Sequence, residues 1–233
     1  MDALIHTSLF SILISLIAFE AGLFLYKKTK LSIFNPLLIS IIIVIFILKG
    51  LNITLNQYNA GGQFISFFLG PSTVILAVPL YKKIDLLKKN IVPILLGISI
   101  GSIFGMLSIA AMCHIFKLPN MIDLSLLPKS VTTPIGQSVS KQIGGIPAVT
   151  VAAIVLTGVF GSIIGPLVFK LFRIKDPVAM GIAMGTSSHA IGTTKAIEIG
   201  ETQGAMSSLS IGVAGLITVI VAPIIVKILS LIL

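Results

Sequence analysis

The sequence predicts an all-α polytopic membrane protein of about six to eight transmembrane helices, and three observations predict it. Hydrophobic residues make up 56% of the 233-residue chain and charged residues only 10%, against about a quarter charged in an average soluble domain. Mean hydropathy is +1.14. Several apolar runs approach the roughly 20 residues needed to cross a bilayer, and short lysine clusters separate them. The formal charge of +9 therefore reads as an orientation signal and a contact for anionic lipid, not as a nucleic-acid footprint. Cys113 is the single cysteine and lies in an apolar run, which leaves no disulfide framework and no thiolate metal site.

Leu4 to Tyr26 forms the first span, closed by the "KKTK" of Lys27 to Lys30. No Lys or Arg precedes Lys27 and no small-residue cleavage site follows, so it reads as a transmembrane helix rather than a removable signal. Asn35 to about Leu55 forms the second span. Gly61 to Tyr81 forms a third, interrupted by Gly70-Pro71 and by Pro79, and "KKIDLLKK" follows at Lys82 to Lys89. Ile91 to Phe116 is an uninterrupted fourth span. A polar segment, Leu126 to Gly145, comes before the span Ile146 to Phe172. After "KLFRIKD" a second polar segment, Gly185 to Glu201, precedes the last span, Ser207 to about Leu231.

With the clusters Lys27–Lys30, Lys82–Lys89 and Lys170–Lys175 on the cytoplasmic side, the N-terminus lies outside. The fifth span must then run inward, so Leu126 to Gly145 enters and leaves from one side as a re-entrant hairpin. A repeat fits this pattern. "GSIFG" at Gly101–Gly105 recurs as "GSIIG" at Gly161–Gly165, and "IGQSVSKQIG" at Ile135–Gly144 lines up with "IGTTKAIEIG" at Ile191–Gly200. The expected organisation is an N-terminal scaffold over 1–60 and a core over 61–233, with repeat units at about 91–145 and 146–201. Inverted repeats carrying broken helices are the architecture of many secondary transporters.

Broken backbone at membrane depth survives only against protein or a watery cavity. "SVTTP" supplies an N-cap at Thr132 and Thr133 followed by Pro134 in the first helical turn. "GTSSH" offers Ser187 and Ser188 as caps of a second half-helix. Two such N-termini in the bilayer centre present N–H donors and positive dipole ends, which suit an anion, most simply a carboxylate. The expected substrate-binding residues are Ser130, Thr132, Thr133, Pro134, Thr186, Ser187, Ser188, His189, Thr193, Thr194 and Lys195. Pro71, Ser72 and Thr73, at the break in the third span, are a third wall.

Several ionisable groups have two readings. His189 carries a coupling proton or donates to a carboxylate; otherwise it is a structural histidine on a backbone carbonyl. Lys195 and Glu198 share a helical face and pair with each other, or Lys195 meets substrate and Glu198 joins the proton path. Glu20 lies about 10 Å inside the first basic cluster by helical rise, a proton site or a near-interface carboxylate. Lys129 and Lys141 flank the first broken segment and draw anions in, or snorkel to the interface. The glycines of "GSIFG" and "GSIIG" read as packing surfaces. No P-loop, metal-ligand cluster or catalytic dyad is present in the sequence, which argues against ATP-driven transport, a cofactor and enzyme activity.

"FLGPSTVILAVPLYKK" (Phe68–Lys83), "SLLPKSVTTPIGQSVSKQIGGIPAVT" (Ser125–Thr150) and "GTSSHAIGTTKAIEIGETQGAMSSLSIGVAGL" (Gly185–Leu216) resemble the LrgB/CidB family. The family includes a plastidal glycolate/glycerate translocator. The likeness runs from about Gly61 to the C-terminus. It implies a multi-pass protein of the bacterial inner membrane, often made with a smaller LrgA/CidA-type partner. Two functions follow as expectations. One is a proton-coupled secondary transporter of small monocarboxylates of the glycolate, glycerate and pyruvate type. The other is an antiholin-like protein that modulates murein hydrolase activity and lysis. A homodimer is expected.

Overall fold

The computed structural model describes residues 7–29, 34–68, 71, 74–75 and 77–232. They form helices and connecting turns, with no strand among the described residues. The chain divides into two compact units, one up to residue 75 and one from residue 76.

In the first unit, α1 (Ser8–Thr29), α2 (Pro36–Gly50) and α3 (Leu55–Phe67) pack together. Local chemistry sets their starts. The Asn35 side chain accepts from the N–H groups of Leu37 and Leu38 at the head of α2. Thr54 and Gln57 form a reciprocal capping box on α3. Glycines allow close helix contact: a Cβ on Gly22 would stand 2.6 Å from the Pro36 carbonyl oxygen. Ser15 Oγ and Tyr58 Oη, 2.8 Å apart, join α1 to α3.

The second unit holds α4 (Ala77–Lys82), α5 (Ile84–Lys89), α6 (Ile91–Ile115), α7 (Asn120–Leu126), α8 (Thr133–Ile143), α9 (Pro147–Leu171), α10 (Pro177–Ile199) and α11 (Glu201–Ile232). α11 packs against α4, α6, α8 and α10. Met106, Ala110, Leu127, Val139, Ala222 and Ile225 form one core cluster. Ile94, Ile98, Ala205, Met206 and Ala214 form a second. Outward residues such as Phe104, Leu167 and Ile220 stand exposed, a surface that suits lipid rather than water.

Four helices are long and apolar enough to cross a membrane among the described residues: α1, α6, α9 and the bulk of α11, with α2 as a shorter apolar helix. Six to eight such spans were expected. The difference has identifiable sources. The third expected span, Gly61 to Tyr81, lies partly outside the described residues; within it α3 runs from Leu55 to Phe67 and α4 from Ala77 to Lys82. The last helix starts at Glu201, six residues before the expected Ser207. α10 has 23 residues, about 34 Å at helical rise, but its hydroxyls and charges keep it below the composition of an apolar span.

The second unit repeats its elements at an interval of 56 residues. α6 and α9 each have 25 residues, and their ends shift from 91 to 147 and from 115 to 171. Each is followed by a left-handed residue, Lys117 and Arg173. The ends of α8 and α10 shift from 143 to 199. The start of α8 at Thr133 corresponds to the kink of α10 at His189. This interval sets Gly105, not Gly101, opposite Gly161. The glycine motifs therefore align by sequence one helical turn away from the register of the elements.

Candidate functional site

Both polar segments are broken, each in its own way. The first is an open turn, residues 127–132, between α7 and α8. Thr132 is the N-cap residue and Pro134 lies in the first turn, but the Thr132 side chain makes no capping bond. α8 ends at Gly144, whose φ of 87° is left-handed and suits glycine. A hydroxyl network holds this segment to α9. Thr150 Oγ1 donates to the Ser125 carbonyl at 2.8 Å and lies 2.7 Å from Ser140 Oγ. Ser125 Oγ accepts from the Ile146 N–H at 2.7 Å.

The second break is one residue wide. Within α10, His189 has φ 43° and ψ −134°, a conformation that costs a non-glycine residue about 1–3 kcal/mol. The ring compensates. It is 3% exposed, and Nε2 donates to the Ile154 carbonyl of α9 at 2.9 Å. A carbonyl only accepts, so this bond requires hydrogen on Nε2. Space for the ring comes from Gly158, where a Cβ would stand 2.8 Å from His189 Cε1. Beyond the kink, Thr193 Oγ1 donates to the His189 carbonyl at 2.9 Å and lies 2.7 Å from Ser207 Oγ on α11.

A cavity of about 1050 Å³ opens where the two segments meet. Lys129 and Ser130 line it from the first, and Thr186, Ser187 and Ser188 from the second. α6 contributes Ser102 and Gly105, α9 contributes Gly161, and α11 contributes Thr218. The wall is otherwise mainly apolar. Lys129 is half-buried and has no ion-pair partner among the described residues.

Of the residues expected to bind substrate, Ser130, Thr186, Ser187 and Ser188 line this cavity. Thr132, Thr133, Pro134, His189, Thr193, Thr194 and Lys195 are not among its lining residues. Ser187 does not act as a helix cap: its hydroxyl donates to the Ala183 carbonyl at 2.7 Å, a bond along its own helix. Thr194 is exposed and bonds the Ala190 carbonyl. Lys195 Nζ donates to Glu198 Oε2 at 2.8 Å in a partly exposed pair. Pro71 is exposed, and Ser72 and Thr73 lie outside the described residues. Glu20 is exposed on α1 in the first unit.

Ser102 was read from the sequence only as part of a packing motif, yet it lines the cavity with its hydroxyl buried and unpartnered. Thr186 Oγ1 is in the same state. The signal in the sequence was a hydroxyl between the two glycines of an apolar span, but nothing local says which way it points. Among the described residues no cluster of metal-ligating side chains occurs.

Residues 15–228 match the model of the LrgB-like family. The antiholin-like protein LrgB of Bacillus cereus strain B4264 is 41% identical over 218 residues, which cover 93% of this chain and 95% of the relative. The antiholin-like protein LrgB of Bacillus anthracis strain A0248 has the same identity and coverage. No solved structure matches. With a match that runs through both broken segments and every wall of the cavity, the chain belongs to the LrgB-like family of membrane proteins.

Proposed function

We propose that the chain is a secondary transporter of small organic monocarboxylates, coupled to protons. The cavity carries this reading: a largely apolar chamber bordered by two helix breaks, with the Lys129 ammonium, which has no ion pair among the described residues, and the unpartnered hydroxyls of Ser102 and Thr186 on its wall. Buried polar groups without partners are costly. They are retained where a ligand or ordered water satisfies them. The recurrence of element ends at an interval of 56 residues suits a duplicated unit, and an inverted repeat of re-entrant type is part of this reading. His189 is the candidate proton site, since its second ring nitrogen is not used by the Ile154 bond. A homodimer in the inner membrane, with the N-terminal unit as scaffold, completes this reading.

A second reading is favoured by the relatives, which carry the name antiholin-like protein LrgB. In it the chain modulates murein hydrolase activity and lysis together with an LrgA/CidA-type membrane partner. Reconstitution separates the two readings. Purified protein in liposomes is expected to take up labelled glycolate, glycerate or pyruvate, faster with an inward proton gradient. Absence of uptake for all three, with lysis control retained in cells, would favour the antiholin reading.

A further inference from the structure

We propose that Lys129, Ser102 and Thr186 form one recognition site in the cavity, selecting a small organic monoanion that bears a hydroxyl or keto oxygen beside its carboxylate. The proposal rests on the transport reading and assigns its chemistry to residues.

Charge comes first. Lys129 projects from the open turn between α7 and α8 onto the cavity wall and has no ion pair among the described residues. Asp176 is the carboxylate on the same wall, and its Oδ1 accepts the Ala179 N–H at 2.8 Å as the N-cap of α10. Among the described residues the cavity wall thus offers one cation outside any ion pair, Lys129. A second carboxylate would sit in a mainly apolar chamber without a counter-charge, which is unfavourable.

The hydroxyls add the second point of contact. Serine and threonine inside helices usually donate to a carbonyl one turn back. Ser108 donates to the Gly105 carbonyl, Ser187 to Ala183 and Thr218 to Ala214. Ser102 and Thr186 do not, although they are only 7% and 8% exposed. They lie on adjacent helices, where a Cβ on Gly101 would stand 3.3 Å from Thr186 Cγ2. Thr186 is also 56 residues beyond Ser130, so the repeat brings matching hydroxyl positions to one chamber. The cavity exceeds the needs of a ligand of a few carbons, so these polar groups on its wall, not the overall volume, set selection.

The test uses the full chain in proteoliposomes with glycolate, acetate and malonate as probes. Wild-type protein is expected to prefer glycolate over acetate, which lacks the second oxygen, and over the dianion malonate. Lys129→Gln should weaken glycolate uptake roughly tenfold or more, with partial rescue in Lys129→Arg. Ser102→Ala and Thr186→Val should each lower the glycolate-to-acetate ratio about tenfold. Lys227→Gln removes the same charge from an exposed position on α11 and controls for net charge; its glycolate uptake should match wild type. Chromatographic monodispersity and melting curves identify any variant that does not fold, and Lys129→Arg and Ser102→Ala then carry the decision. Full glycolate uptake by Lys129→Gln, or an unchanged ratio in both hydroxyl variants, overturns the site while the transport reading stands. A wild-type protein that takes up none of the probes overturns both.

Discussion

The Nε2 of His189 donates to the carbonyl oxygen of Ile154 at 2.9 Å, tying the kink of α10 to the N-terminal third of α9. Thirty-five residues separate the partners, so the bond is tertiary, and it stands where the backbone leaves helical geometry. Ring, tether and kink form one unit, which bears on both the stability and the mechanism of the protein.

Replacing His189 with Ala removes this bond and empties the space that Gly158 leaves for the ring, while the positive φ remains. The expected loss of stability is about 1–3 kcal/mol. His189→Gly should recover part of it, because glycine adopts positive φ without strain. Unfolding of the two variants in mild detergent checks the order. A melting curve for His189→Ala that matches wild type would remove the tether from the account.

Gly161 and Gly105 occupy equivalent positions in the two long helices but meet different surroundings. A Cβ on Gly161 would collide with the Ser188 side chain, whereas nothing lies within 4 Å of one on Gly105. Gly161→Ala is expected to destabilise by about 1–3 kcal/mol through overpacking. Gly105→Ala should be neutral or stabilising by about 0.5–1 kcal/mol, from helix propensity. Equal melting temperatures for the pair would contradict the packing described above.

Thr150→Val keeps the shape of the side chain but removes the hydroxyl that links α9 to Ser125 and Ser140. Both serines are fully buried, so Ser140 loses its neighbour at 2.7 Å. A cost of about 1–3 kcal/mol follows, and the first broken segment should open. Faster hydrogen exchange in α7 and α8, with little change in α6, is the signature to seek.

Lys195→Gln breaks a partly exposed pair with Glu198. Such pairs contribute about 0–1 kcal/mol, so thermal unfolding should hardly move. A large fall in stability would mean that Lys195 has a deeper structural role than this pair.

How much of this was legible beforehand differs between elements. "SVTTP" marks the head of α8 because proline in the first turn acts locally; Thr132 is the N-cap residue, though its hydroxyl makes no capping bond. The kink at His189 fell inside the segment read as broken, because hydroxyls and charges interrupt an apolar run wherever they lie. The extent of the last helix was misjudged. The last span is expected from Ser207, whereas α11 begins at Glu201 and its first turns pack closely against Gly181 and Gly185 of α10.

The membrane class, the two long helices of the core and the two polar segments that hold the breaks are legible in the sequence alone. These depend on composition and on interactions a few residues long. The tertiary structure alone decided that the His189 ring is held by Ile154, that Ser187 bonds along its own helix, and that Ser102 and Thr186 face the chamber unpartnered. Element ends recur at the 56-residue interval of the Ile135–Gly144 and Ile191–Gly200 alignment, one turn away from the 60-residue interval of the glycine motifs. A helix presents side chains all round its axis, and only packing against distant segments selects which of them meets protein, lipid or the cavity.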